Sequence, residues 1–138
     1  MAAARRIGFR RRLNTHPVEA LEDPDVAIVG TGIAFLELGG LPTAEQHTAL
    51  TIRLQHHLGQ SHNKAEEALI LGRWLVTECG GAQAGLTRLT RRVFKLKRTS
   101  SFEPLLAVVK DVAATGHGSV SQRQREALSE IATLYRIT

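Results

Sequence analysis

The segment LELGGLPTAEQ at residues 36–46 has a degenerate second copy at residues 114–124, ATGHGSVSQRQ. Each copy reads as a helix end, a glycine turn and the start of another helix, because glycine adopts backbone angles that other residues resist. Both copies end in a capping box, Thr43-x-x-Gln46 and Ser121-x-x-Gln124, in which the two side chains satisfy each other's backbone N–H groups. The pair predicts two pseudo-repeated helix-turn-helix units. Two unrelated helix hairpins are the alternative interpretation.

The composition bounds the class of protein. The chain has 138 residues, long enough for one domain with its own core, and its residues are 43% apolar but only 4% aromatic. A core of Leu, Ile, Val and Ala suits close helix packing. The single Cys79 excludes an intramolecular disulfide or a cysteine metal cluster and fits a reducing compartment. With neither a secretory signal nor a membrane span in the sequence, the prediction is a cytoplasmic protein, with a peripheral position at the cytoplasmic face of a membrane as the alternative. No cofactor is expected.

The hydrophobic periodicity predicts about six helices and no strands. Asp23-Pro24 opens an almost wholly apolar helix that runs to about Leu38, and such a helix is usually central. The other predicted helices cover residues 44–58, from an Asn63 cap to about 78, 85–98, 104–113 and 122–135. The expected fold is therefore a single compact all-α domain over residues 22–138, preceded by a basic N-terminal arm over residues 1–21.

The net charge of +5 is unevenly spread. Residues 1–22 carry +3, residues 23–87 carry −4 and residues 88–138 carry +6. The arm mixes arginines with apolar residues, as a mitochondrial transit peptide also does, and the helix over residues 85–98 repeats its basic residues on one face. This segregation indicates an anionic partner. The predicted partner-binding residues are Arg5, Arg6, Ile7, Phe9, Arg10, Arg11, Arg12, Arg88, Arg91, Arg92, Lys95 and Arg98.

With these helices in place, residues 22–137 resemble the TerB family, a tellurite-resistance-type helical domain also related to the N-terminal part of a DnaJ-like membrane co-chaperone. The family pattern is an Ala-Asp-Gly turn, a hydrophobic residue, Ser or Thr, two residues and Glu, occurring twice. The resemblance implies the TerB-like fold and, where both acids are present, a divalent-cation site. In this chain Gly39 and His117 replace the Asp, while Gln46 and Gln124 replace the Glu. The resemblance therefore implies a retained fold and a lost metal site.

No catalytic motif accompanies the six scattered histidines, so an enzyme is not expected. The favoured function is a non-catalytic protein-interaction module, an accessory or scaffold subunit of a larger assembly. Its Arg-rich arm would anchor it to a partner with an acidic surface, and no small-molecule substrate is expected. Arginine binds carboxylates and phosphates alike. Nucleic-acid or anionic-membrane binding, through the arm and the helix face Arg88–Arg98, is the alternative. Nucleic acid is less favoured because only Phe9 and Phe94 interleave with the basic residues.

Overall fold

A computed structural model describes residues 16–40, 43–97, 107 and 121–136. These residues contain six helices: α1 (Pro17–Ala20), α2 (Pro24–Leu38), α3 (Ala44–Leu58), α4 (His62–Glu78), α5 (Ala82–Lys97) and α6 (Gln122–Arg136). No β-strand occurs in the described ranges, and the all-α prediction is confirmed. The turn at residues 114–120 and the predicted helix at 104–113, apart from residue 107, lie outside the described residues, as do residues 1–15 of the arm.

Helix α2 lies at the centre, as its composition predicts. The Asp23 carboxylate caps it by accepting from the Asp25 N–H at 2.9 Å, and Pro24 occupies the first helical position. Every residue from 26 to 36 is buried. The polar member of that run, Thr31, donates its hydroxyl to the Ala27 carbonyl at 2.8 Å, so its burial leaves no hydrogen bond unmade. Helices α4 and α5 pack most extensively against α2, and α3 and α6 lie at its flanks.

Glycine sets the spacing between the central helices. A Cβ placed on Gly72 of α4 would lie 3.2 Å from both the Cα and the N of Gly30, and 3.1 Å from Ile33 Cδ1. On the α5 side, a Cβ on Gly30 would lie 2.9 Å from Leu89 Cδ1. Helix α2 is therefore in close contact with two neighbours, α4 and α5, at Gly30.

Two predicted helix starts are wrong. Helix α4 begins after Ser61, whose hydroxyl accepts from the Lys64 N–H at 3.2 Å, so Asn63 is not the cap. Helix α5 begins at Ala82, three residues before the predicted start, because the chain turns at Gly81 (φ 130°) and the Gly81 carbonyl accepts from the Gly85 N–H at 2.9 Å.

The short helix α1 lies within the stretch assigned to the arm. Its Val18 side chain is 1% exposed, and Leu21, which follows it, is completely buried in the main core. Residues 17–21 thus pack as part of the helical domain, and the described end of the arm is fixed to it.

Candidate functional site

Helix α5 has a buried side and an exposed side that carries basic residues. Leu86, Leu89 and Val93 are fully buried. Arg88, Arg91 and Lys95 are exposed, at the spacings of three and four that the sequence predicts. Arg98 and the predicted arm residues Arg5, Arg6, Ile7, Phe9, Arg10, Arg11 and Arg12 lie outside the described residues.

Arg92, the fourth predicted residue of this helix, has a partner in its own chain. Its Nε and Nη2 donate to the Leu21 carbonyl at 2.8 and 2.6 Å, and its side chain is half-buried. Leu21 is the C-cap of α1, where a carbonyl has no helical partner. Arg92 therefore fastens the end of α1 to the middle of α5.

The start of α1 is fastened by His16. Its Nδ1 accepts from the Val18 N–H at 3.2 Å and its Nε2 lies 3.1 Å from the Glu78 carbonyl oxygen. A ring whose Nδ1 accepts carries its proton on Nε2, so Nε2 donates to Glu78. Glu78 is the last residue of α4, just before α5 begins. Helix α1 is thus held at both ends, beside α5.

Two open grooves run along the basic residues and share Arg88 and Arg91. The first, of about 290 Å³, lies between α1 and α5 and is lined by Val18, Glu19, Arg88, Arg91, Arg92 and Lys95. The second, of about 690 Å³, extends over the first turn of α5 and adds Glu37 and Arg123. We call Arg88, Arg91, Lys95 and Arg123 the basic face. Arg123 was not singled out from the sequence, because nothing local places the start of α6 beside the start of α5.

The carboxylates in the grooves are few. Among the described lining residues, Glu19 is the acid of the first groove and Glu37 the acid of the second. Burial raises the pKa of Glu37 above its ordinary value, and the Arg73 cation opposes that rise. The basic face therefore presents four cations against two acids.

Cys79 is the C-cap of α4, next to this surface, and is half-buried against the core. Burial raises the pKa of its thiol and the Glu78 charge adds to the rise, while the Arg88 cation opposes it.

Since the thiolate is the nucleophile, Cys79 is expected to alkylate slowly at neutral pH. Iodoacetamide rates measured from pH 7 to 10 should give a midpoint above that of an unstructured cysteine peptide in the same buffer. A lower midpoint would show that Arg88 outweighs burial.

Both capping boxes are confirmed. Thr43 N–H donates to Gln46 Oε1 at 2.9 Å, and Gln46 N–H donates to Thr43 Oγ1 at 3.1 Å. In the second box, Ser121 N–H donates to Gln124 Oε1 at 3.0 Å and Gln124 N–H donates to Ser121 Oγ at 3.1 Å. Each pair satisfies two N–H groups that the start of a helix leaves unpaired.

Gln124 also contacts the end of α2. Its Nε2 donates to the Phe35 carbonyl in the last turn of α2 at 3.1 Å. A Cβ on Gly39 would lie 2.7 Å from that same Nε2. The turn after α2 and the cap of α6 are therefore in contact. Gly39 offers no side chain to a cation, and the Gln46 and Gln124 oxygens each accept an N–H within their own boxes. The lost cation site stays a prediction.

A second exposed surface is apolar. Ile70 is 73% exposed, Ile52 is 56% exposed and Trp74 is 42% exposed. The two isoleucines line a groove of about 330 Å³ between α3 and α4. Trp74, also on α4, lies at the surface as well.

Comparisons with protein-family models, curated proteins and solved structures find no match to this chain. The resemblance to the TerB family thus stays a prediction. In the described part of the chain, no helix has the length and apolar content to cross a membrane. Nor do any three His, Cys, Asp or Glu side chains in that part form a group that could hold a metal ion.

Proposed function

We propose that this domain is a non-catalytic interaction module that binds an acidic segment of a partner protein on its basic face. The observation that carries the proposal is the convergence of Arg88, Arg91 and Arg123, from two helices, on one open groove. Arginine forks bind carboxylates in a bidentate manner, and an open groove leaves room for a backbone.

The two groove acids favour a protein over a nucleic acid. A continuous phosphate track would pass Glu19 in one groove and Glu37 in the other, whereas a polypeptide can place neutral residues there. Stacking aromatic side chains would favour a single-stranded nucleic acid, but the described residues that line the two grooves include no aromatic side chain.

Neutralising α5 tests the proposal. The variant Arg88→Gln/Arg91→Gln/Lys95→Gln should bind a fluorescein-labelled glutamate-rich peptide roughly tenfold more weakly, because three exposed ion pairs at about 0.5 kcal/mol each amount to about 1.5 kcal/mol. The measurement is fluorescence anisotropy at fixed ionic strength, since salt screens these contacts.

The matched control removes the same charge elsewhere. Arg53→Gln/Lys64→Gln/Arg125→Gln also deletes three cations, from residues that line neither groove. It should leave peptide affinity within about twofold, because these side chains line neither groove and salt screens their charges. If both variants weakened peptide binding equally, the effect would come from the net charge of the protein and not from the basic face. Tighter binding of duplex DNA or phosphatidylserine vesicles than of the peptide, at the same salt, would replace the proposal by its nucleic-acid or membrane alternative.

A further inference from the structure

We infer that a second copy of this chain docks on the apolar surface between α3 and α4. The two copies pack their α4 helices antiparallel, about a twofold axis at Ile70. This contact is separate from the basic face, because the groove between α3 and α4 shares no lining residue with the two grooves along α5. Two features of the surface support the inference: exposed apolar side chains, and a charge pattern that is complementary to itself.

The apolar side chains form a cluster. Ile70 on α4 is 73% exposed and Ile52 on α3 is 56% exposed, and both line the groove of about 330 Å³. Trp74 lies one turn after Ile70 on the same helix and is 42% exposed. Within the described part of the chain, these are the large hydrophobic side chains left at the surface, and they lie on two neighbouring helices. Exposed apolar residues that cluster in this way mark an interaction surface.

The exposed positions of α4 are symmetric about Ile70. Between positions 65 and 75 they are Glu66, Glu67, Ile70, Arg73 and Trp74, and the other residues there are buried or half-buried. Positions three and four before Ile70 are thus matched by positions three and four after it, and all five lie on one side of the helix. Acids precede Ile70 and an arginine follows it. Antiparallel packing brings these unlike ends together, whereas parallel packing would place acid on acid.

Arg73 and Glu66 are the charged pair that the twofold brings together. Both line the groove, and in an antiparallel pair the groove side of one copy meets the groove side of the other. Arg73 of each copy then lies level with Glu66 of its partner to within about 1.5 Å, one residue of helical rise. The Arg73 Nη2 lies 3.2 Å from His47 Nδ1, which leaves other guanidinium N–H groups to donate to a carboxylate. Glu66 uses Oε1 for His62, at 2.8 Å, and has Oε2 to accept from arginine.

This self-complementarity identifies the occupant as a second copy. An isologous interface uses the same patch on both subunits, and twofold dimers are the commonest protein oligomers. The same rotation places the two grooves side by side, so that each copy covers the other's Ile52 and Ile70. The patch measures roughly 20 by 15 Å, which is less than the area of about 800 Å² that each partner buries in a standard interface. The dimer is therefore weak and reversible.

Sedimentation velocity of the full chain tests the dimer. Wild type should pass from monomer toward dimer as its concentration rises from roughly 1 to 300 µM, the range that suits a small interface. Ile70→Glu should weaken this association at least about tenfold, because the twofold brings two carboxylates together in a desolvated contact. Since Ile70 is 73% exposed, the urea midpoint of the variant should match that of wild type.

Charge reversal identifies the antiparallel pairing. Arg73→Glu alone and Glu66→Arg alone each place like charges opposite one another, so each should self-associate about tenfold more weakly than wild type. An equimolar mixture of the two variants should form a heterodimer at least as readily as wild type dimerises, because every contact between positions 66 and 73 then joins opposite charges. Each reversal changes the net charge of +5 by two, giving +3 and +7, so attraction between the whole molecules cannot cause this.

Lys64→Glu is the matched control for Arg73→Glu. It makes the same charge change at another exposed position of α4, about a third of a turn around the helix from Ile70 and outside the groove. Its self-association should stay within about twofold of wild type, because salt screens a charge that makes no contact with the partner.

Three results would overturn the dimer or its geometry. A wild-type chain that stays monomeric up to roughly 300 µM would show that this surface does not bind a second copy. Undiminished association of Ile70→Glu would place the contact on another surface. A mixture of Arg73→Glu and Glu66→Arg that associates no better than either variant alone would exclude the antiparallel pairing. None of these results bears on peptide binding at the basic face.

Discussion

Replacing Gly72 with alanine is expected to destabilise the fold by about 2 kcal/mol, although alanine is the better helix former by about 1 kcal/mol. The new methyl group would lie 3.2 Å from Gly30 Cα and N. The backbone of Gly30 cannot rotate away from the methyl group as a side chain could, and Leu89 lies close to Gly30 on its other side. Helices α2 and α4 must therefore separate, which loosens the core along the crossing at a cost typical of overpacking.

Gly85→Ala is the matched control. Gly85 is also a buried helical glycine, and its added Cβ would meet Val76 at 3.3 Å or more, chiefly through a side-chain methyl. Its stability should change by less than about 1 kcal/mol, since the gain in helix propensity offsets the tight contact. Urea unfolding measures both variants, with an unchanged slope confirming that the native fold is kept. A Gly72→Ala variant as stable as wild type would show that the α2–α4 interface has room for the added methyl group.

The central helix could be predicted because its signal is local. An apolar run broken by glycines, opened by Asp23-Pro24, has no polar face to expose, so it has to be surrounded. The same reasoning missed α1, because four residues cannot show a helical period. Its cap is His16, a residue seldom found there, and its burial depends on α4 and α5. The cap of α4 was misplaced since Ser61 and Asn63 are both good N-caps and only their backbone angles decide between them.

The basic face could be predicted in part for the same reason. Arg88, Arg91 and Lys95 repeat on one side of a helix whose other side is apolar, which a single sequence reveals. The role of Arg92 depends on a carbonyl 71 residues earlier in the chain, and that of Arg123 on how α6 meets α5. Contacts between residues so far apart in the sequence depend on how the helices pack, and hydrophobic periodicity alone does not predict that packing. The hydrogen bond from Gln124 to the Phe35 carbonyl likewise joins residues 89 positions apart, and no local pattern indicates it.

Replacing Gln124 with glutamate is expected to destabilise the fold by about 3 kcal/mol at pH 7. The amide nitrogen that donates to the Phe35 carbonyl becomes a carboxylate oxygen, so a hydrogen bond of about 1 kcal/mol is lost. Gln124 is 8% exposed, and a charged carboxylate there faces a carbonyl oxygen. Its desolvation adds a cost of roughly 2 kcal/mol after subtraction of the roughly 0.5 kcal/mol that a negative charge gains in the first turn of a helix.

The pH dependence of that loss identifies its cause. Burial beside a carbonyl raises the pKa of the introduced carboxyl above its unfolded value of about 4.3. The protonated carboxyl can donate to Phe35, so the missing stability is present below the unfolded pKa and is lost as the pH rises through the raised folded pKa. The difference between wild type and Gln124→Glu should therefore shrink from pH 7 to pH 4, as followed by urea midpoints.

Gln46→Glu supplies the matched comparison, since it makes the same chemical change in the other capping box. The Gln46 oxygen accepts from the Thr43 N–H at 2.9 Å, a bond that glutamate also forms, and a negative charge in the first turn of a helix is favourable. Its stability should stay within about 0.5 kcal/mol of wild type. If both variants lost the same stability, the need for glutamine would come from the capping box itself and not from the hydrogen bond to Phe35. A loss confined to Gln124 would show that glutamine is needed there as the donor that ties α6 to the end of α2.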